Sequence, residues 1–301
     1  MEIKQIKFEN LKLAEIEAFI PESKRSCLKT RENQDLHLIL LAAFEKEKLI
    51  GLLVASATKT YYIAELHSLF IDEKWRRKSV GTALLTAFES LLTEKKCKSA
   101  TLLYEENLPA KEALKGLLEK KGWAIPVPII YRYVFDGASF KPDWIFKPYA
   151  LPPSFKLFFW KDLKNQEKEL LLKREEEGNI LGEISPFLNE ESIEPLNSLG
   201  LKTQTGEIIG WMITHRINPS TIKYSGLYLE RDFRHRLNPV QLLIESIKIQ
   251  KDFIKNNHPA KIAVFDLNLN QTSSNWHHFI EKRLKPYAQE VIPICMSWKG
   301  F

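Results

Sequence analysis

The hexapeptide Arg76-Arg77-Lys78-Ser79-Val80-Gly81 lies between an apolar run, Leu69-Phe70-Ile71, and an amphipathic stretch that starts at Gly81. With Lys74, it puts four cations into five residues at a strand-to-helix junction. The first N–H groups of a helix, and its dipole, favour an anion at that place. Gly81 has no Cβ, so a phosphate can come close to its backbone. Ser79 and Thr82 flank it with N–H groups and hydroxyls. A junction of this kind suits capture of a phosphate or pyrophosphate, with Arg76, Arg77 and Lys78 adding charge-assisted hydrogen bonds; the alternative is a solvated basic loop. Just upstream, Glu65 and His67 stand two residues apart on one strand and so share a face of its sheet. The histidine either joins a proton relay there or serves the structure.

Strand and helix patterns alternate around these residues. "IKQIKF" reads as a short strand and "LAEIEAFI" as an amphipathic helical turn or two. "LHLILLAAFE" and "KLIGLLVASATK" form an antiparallel hairpin about the turn Glu45-Lys46-Glu47-Lys48. "AELHSLFIDE" is a third strand. Gly81 to Glu94 is a helix with Ala83, Leu84, Ala87, Phe88, Leu91 and Leu92 on one face. "SATLLYEEN" is a further strand, and Ala110 to Lys121 a helix stopped by Gly122. "VPIIYRYVF" then closes the unit. The expected class is mixed α/β, with a mostly antiparallel sheet flanked by helices.

Composition excludes several functions. Residues 1–150 hold 24 Lys and Arg against 20 Asp and Glu, leaving 44 − 24 = 20 and 38 − 20 = 18 for residues 151–301. The net charge of +6 is therefore spread over both halves, with no basic tail, and nucleic acid is not an expected partner. The longest apolar run, Leu38 to Phe44, is far short of a membrane span, and the charged N-terminus does not read as a signal peptide. Cys27, Cys97 and Cys295 lie far apart, which points to a reducing cytoplasm and no metal. His277 and His278 are adjacent on a helix, about 100° apart, and cannot share one metal.

The order of elements, the strand–"RRKSVG"–helix junction and the ending "LLEKKGW" before a strand resemble the GNAT superfamily of acyl-CoA-dependent N-acetyltransferases. The resemblance covers residues 1 to about 136. Its signature, Arg/Gln-x-x-Gly-x-Gly/Ala, is met at Arg76 to Gly81 with Ser79 in place of the first glycine. The resemblance implies acetyl-CoA as co-substrate and an amine acceptor, either a small molecule or a protein amine. It implies that Arg76, Arg77, Lys78, Ser79, Val80, Gly81 and Thr82 hold the pyrophosphate. The strand edge Leu69, Phe70 and Ile71 would pair with the pantetheine amides, and Asn107 would contact the cofactor or simply end its strand. Glu65, eleven residues before Arg76, stands where family members that use a strand glutamate carry their general base, acting directly or through a water. The usual leaving-group acid, a tyrosine four residues before the Gly-aromatic pair, is here Leu118. Tyr104 is a possible substitute, and solvent another. A non-catalytic acyl-CoA-binding sensor or an interaction protein is the alternative function, and the chain would be a monomer or homodimer. The loop Pro21 to Asp35, with Lys24, Arg25, Lys29 and Arg31, would favour an acidic acceptor or be plain surface.

The chain also repeats itself. Leu69 to Leu85 lies over Leu227 to Leu243 at an offset of 158, and Gly51 lies over Gly210 at 159. "TLLYEEN" parallels "AVFDLN", with Asn107 over Asn268, and "PIIYRY" parallels "PICMSW". A repeat of ~160 residues implies tandem GNAT-like domains, expected at 1–136 and 154–301 with a Pro-rich connector at 137–153. Ser79 and Gly81 correspond to Leu237 and Pro239. Proline offers no N–H and fills the glycine's space, so the second copy is expected to bind no coenzyme.

Overall fold

The computed structural model describes residues 1–6, 19, 36–148, 151–178, 184–270 and 274–301. The predicted turn of helix before residue 21 and the basic loop 21–35, with Cys27, lie outside the described residues. In chain order the first half has strands β1 (Glu2–Gln5), β2 (Leu36–Glu45), β3 (Lys48–Thr58) and β4 (Ile63–Ile71), helix α1 (Val80–Glu94), β5 (Ser99–Glu105), helix α2 (Lys111–Lys120) and β6 (Val127–Asp136). The second half has β7 (Phe155–Phe159), α3 (Asn165–Glu176), β8 (Leu199–Thr203), β9 (Ile208–Asn218), β10 (Thr221–Leu229), α4 (Val240–Lys255), β11 (Ile262–Asn268), α5 (Ser274–Phe279) and β12 (Glu290–Gly300).

Two compact units result: Met1–Ile130 with Pro293–Phe301, and Tyr131–Ile292. The expected boundaries at 136 and 154 are thereby corrected. Strand β6, expected to close the first sheet, sends Tyr133 and Phe135 into the core of the second unit, and Arg132 pairs there with Asp266. The place beside β5 is taken by the end of the chain, with Ile294 opposite Glu105 and Gly300 opposite Ser99. Residues 137–148 are not a connector. Phe140, Trp144 and Ile145 are buried in the second unit's core, and Lys251 Nζ donates to the carbonyls of Gly137 and Phe140.

In the first unit the β2–β3 hairpin turns at Lys46 and Glu47, both left-handed, as a two-residue loop between right-twisted strands requires. Antiparallel β3–β4 pairing carries Gly51 opposite Ile71. A Cβ on Gly51 would come within 2.9 Å of Ile71 Cδ1, so glycine is what lets the strands and the start of α1 close up. Leu84, Leu85, Phe88 and Leu92 of α1 bury one face against β3, β4 and β5, alongside Leu118 of α2. Helix α2 stops at Gly122, whose φ of +71° no other residue adopts as cheaply.

Candidate active site

Two irregularities of β4 shape the candidate site. Its register against β3 slips between Val54 and Ala55, leaving His67 as the extra residue of a bulge. Its parallel pairing with β5 runs only from Ile63–Ser99 to Leu66–Leu102. Beyond that point the strands part, while β5 continues to Glu105 with β12 on its other edge. The β5-facing edge of β4 along Leu69, Phe70 and Ile71 is thus left without a strand partner among the described residues.

This opening leads to the basic junction. A short 3-10 turn, Glu73–Trp75, is capped by Asp72 Oδ1, which accepts from the Lys74 N–H. Arg77 and Ser79 then take left-handed backbones, φ 62° and 61°. For residues with a Cβ that conformation costs about 1–2 kcal/mol each. A left-handed residue beside a helical one, as Ser79 is beside Val80, turns successive N–H groups inward, the arrangement that binds anions. Ser79 is the N-cap of α1 but caps nothing with its side chain, so the amides of Val80, Gly81 and Thr82 open the helix without an i−4 acceptor. Val80 is buried and has only its backbone to offer. A Cβ at Gly81 would meet Leu117 and Ile71 at 3.7 and 3.8 Å, ordinary contacts, so packing does not demand glycine there. Arg76, Arg77 and Lys78 are exposed and form no ion pair with a described residue. Arg76 Nε donates to the Ile71 carbonyl, 3.2 Å, which holds this side chain along the open strand end.

Glu65 and His67 meet, with His67 Nδ1 3.3 Å from Glu65 Oε1. Ser56, across from Glu65 on β3, puts its Oγ 2.8 Å from His67 Nε2. Tyr104 does not join them. It packs among the helix-side residues with Ala55, Ala57 and Leu118, whereas Ser56 and Glu65 point to the other face. Its hydroxyl is buried with no hydrogen-bond partner among the described residues, and burial, then the nearby Cys295, raises its pKa. Asn107 lies in the turn two residues past the end of β5 and is exposed; it does not end the strand.

Sequence reasoning missed the neighbours of Tyr104. Cys295 stands opposite it on β12, and its thiol donates to Glu106 Oε2 at 3.5 Å. Burial, then Glu106, pushes that thiol up to about 11. Glu106 accepts from Lys115 at 2.8 Å and Lys111 at 3.2 Å, and Lys115 above all draws its carboxyl down to about 2. Cys295 gave no signal because its strand was expected to serve the other half. Among the described residues no group of His, Cys, Asp and Glu is arranged to hold a metal ion, and no helix is long and apolar enough to cross a membrane.

The second unit repeats the frame and lacks the site. Strand β10 pairs with β11 from Thr221–Ile262 to Tyr224–Phe265, then parts from it, with a bulge at Ser225. Arg234 Nε donates to the Leu229 carbonyl at 2.9 Å, the counterpart of the Arg76–Ile71 bond at the offset 234 − 76 = 158. No residue between Arg231 and Pro239 has a positive φ. Leu237 is buried, and Asn238 Oδ1 accepts the Val240 N–H at 3.0 Å. Lys223 occupies the place of Glu65, paired with Asp266 at 2.7 Å. The strand register also corrects one expected match. Ile262 corresponds to Ser99, an offset of 262 − 99 = 163, so Asn268 answers Glu105 rather than Asn107, and Leu267 answers Tyr104.

A strand–bulge–strand opening above a helix N-terminus, present twice, is the GNAT fold in tandem, and the known structures agree. Over 99% of this chain and 98% of the other, it resembles a tandem GNAT protein from the clavulanic acid biosynthesis pathway, solved without AcCoA (TM-score 0.69, 11% identity). It also resembles a GCN5-related N-acetyltransferase from Sphaerobacter thermophilus (TM-score 0.52, 14% identity, 92% of this chain and 85% of that one). A probable N-acyltransferase from Enterococcus faecalis V583 is similar as well (TM-score 0.54, 12% identity, 99% and 72%). At these identities the likeness is one of fold. Residues 8–117 match the family described as Acetyltransferase (GNAT) family, wholly within the first unit. No curated protein matches by sequence.

Proposed function

We propose that the chain is an acetyl-CoA-dependent N-acetyltransferase whose first unit does the chemistry. The observation that carries this reading is the junction after β4. Two left-handed residues, three uncapped helix amides and three exposed cations stand together there, and the equivalent place in the second unit is closed by Leu237 and Asn238. The residues fit the co-substrate in two further respects. The parted edge of β4 at Leu69, Phe70 and Ile71 offers backbone groups to an amide-bearing arm, and the buried Tyr104 hydroxyl lacks a partner that a thiol or thioester could supply.

Acetyl-CoA, when bound, supplies the acetyl thioester. Val80, Gly81 and Thr82 hold its pyrophosphate through their N–H groups, and Arg76, Arg77 and Lys78 add charge. Glu65, its side chain 41% exposed, takes a proton from the acceptor amine directly or through a water. As the new N–C bond forms and the C–S bond breaks, Tyr104 hands its proton to the departing sulfur. Asn107, exposed in the turn beyond the opening, contacts the cofactor. The acceptor is a small-molecule or protein amine.

A second reading keeps binding and drops turnover. Leu118, where the family carries its acid, is buried in the core and cannot donate. Thiol release from acetyl-CoA with a panel of polyamines, amino acids, aminoglycosides and lysine peptides decides between them. Acceptor-dependent release supports the enzyme, and binding without release supports the sensor.

A further inference from the structure

We propose that His67 is a positioning residue: its ring, oriented by Ser56, donates Nδ1–H to Glu65 and so aims the carboxylate used for proton abstraction. This rests on the functional reading above but makes a separate claim about atoms. Ser56 Oγ lies 2.8 Å from Nε2 and Glu65 Oε1 lies 3.3 Å from Nδ1. A neutral imidazole has one donor and one acceptor nitrogen. A carboxylate can only accept, so Nδ1 carries the hydrogen, and Nε2 then accepts from the Ser56 hydroxyl. The carboxylate thus selects the tautomer, and the hydroxyl, which can donate or accept, fixes the orientation of the ring.

The bulge makes this possible. On a regular strand, residues 65 and 67 would sit one pleat apart, each opposite its own partner on β3. The extra residue at position 67 has no partner of its own, and its ring reaches back between Ser56 and Glu65. His67 is nearly buried while Glu65 is substantially exposed. The ring is therefore the fixed member of the chain and the carboxylate the one that meets solvent.

The second unit provides an internal comparison. His215 on β9 and Ser225 in the bulge of β10 make a bond of the same 2.8 Å length with the two residue types exchanged, here through Nδ1 in place of Nε2. There the other ring nitrogen, Nε2, meets the Leu188 carbonyl at 2.7 Å, and burial lowers the pKa of the ring. The place of the carboxylate belongs to Lys223. A Ser–His bracket across the bulge thus belongs to the fold. Among the described residues, the ring's other nitrogen faces a carboxylate in the first unit and a backbone carbonyl in the second.

Two measurements on the full chain test the proposal. The first needs no acetyl-CoA: long-range 15N spectra of the histidine rings, with His67 assigned by its loss in His67→Asn. We expect His67 as the Nδ1–H tautomer, with population moving to Nε2–H in Glu65→Ala. An Nε2–H tautomer in the wild type, or a ring indifferent to Glu65→Ala, overturns the proposal. The second is kinetic. Asparagine places an N–H near Nδ1 and glutamine one near Nε2, so His67→Asn should keep kcat within a few-fold. His67→Gln should lose about 10²-fold, the scale of a misplaced reacting group, with acetyl-CoA affinity unchanged. Equal losses, or the reverse order, refute the positioning role. A wild type with no transferase activity refutes the functional reading instead, and the spectra still decide the tautomer.

Discussion

Ser79 and Leu237 hold the same place before equivalent helices. The first is exposed in a left-handed backbone and the second buried in a core. The contrast divides the two halves by what each helix start can do. In the first unit the amides of α1 are left uncapped; in the second Leu237 is buried and Asn238 Oδ1 accepts an amide at the start of α4.

The strained backbone at Ser79 predicts a graded response in stability. Ser79→Val should lower it by at least about 1 kcal/mol, since a β-branched residue tolerates φ near 61° worse than serine. Ser79→Gly should be neutral or stabilising, because relief of strain is offset by the ~0.5–1 kcal/mol that glycine's freedom costs. Urea titrations give both values. A valine variant as stable as wild type would show that the junction is not left-handed.

Glu65→Gln should lower kcat by about 10²–10⁴-fold, the usual worth of a general base, and leave acetyl-CoA affinity alone. Steady-state kinetics beside titration calorimetry separate the two effects. A variant within a few-fold of wild type would assign the proton to water or another group.

Tyr104→Phe separates structure from catalysis unusually well. The hydroxyl has no partner among the described residues, so removing it should leave stability unchanged or raise it by about 1 kcal/mol. Turnover should nonetheless fall if the hydroxyl protonates the leaving sulfur. Unchanged kcat would hand that step to solvent.

The Glu106 cluster predicts a pH effect with a definite sign. Lys115, then Lys111, holds its carboxyl at about 2, below the ordinary 4.5. Its contribution to stability is therefore complete above about pH 4.5 and vanishes as pH falls to about 2. The difference in urea midpoint between wild type and Glu106→Gln should be flat at neutral pH and close across that range. A difference that persists at pH 2 would exclude the ion pair as its source.

Much of this was legible in the sequence. The hairpin, the two described helices of the first half and the Gly122 stop rest on local periodicity and turn chemistry, and they stand where expected; the repeat showed as self-similarity, without its true boundaries. The exchange of closing strands was not legible. "PIIYRY" and "PICMSW" are alike, and pairing with β5 or β11 is a long-range choice that neither strand's own residues decide. The same holds for register. Residue similarity set Asn107 over Asn268, while the parallel ladders put Glu105 there. The placement of Glu65 beside His67 followed from strand alternation, but the bulge that brings Ser56 to the same ring has no mark in the sequence.

The central claim is that one of two like units binds acetyl-CoA, and stoichiometry tests it most directly. Calorimetric titration of the full chain should give one acetyl-CoA per chain. Gly81→Pro should weaken binding at least ~10-fold by removing an amide from the first helical turn, where proline is otherwise tolerated. Arg234→Ala should change nothing. Two molecules per chain, or one that survives Gly81→Pro and is lost with Arg234→Ala, would contradict the account.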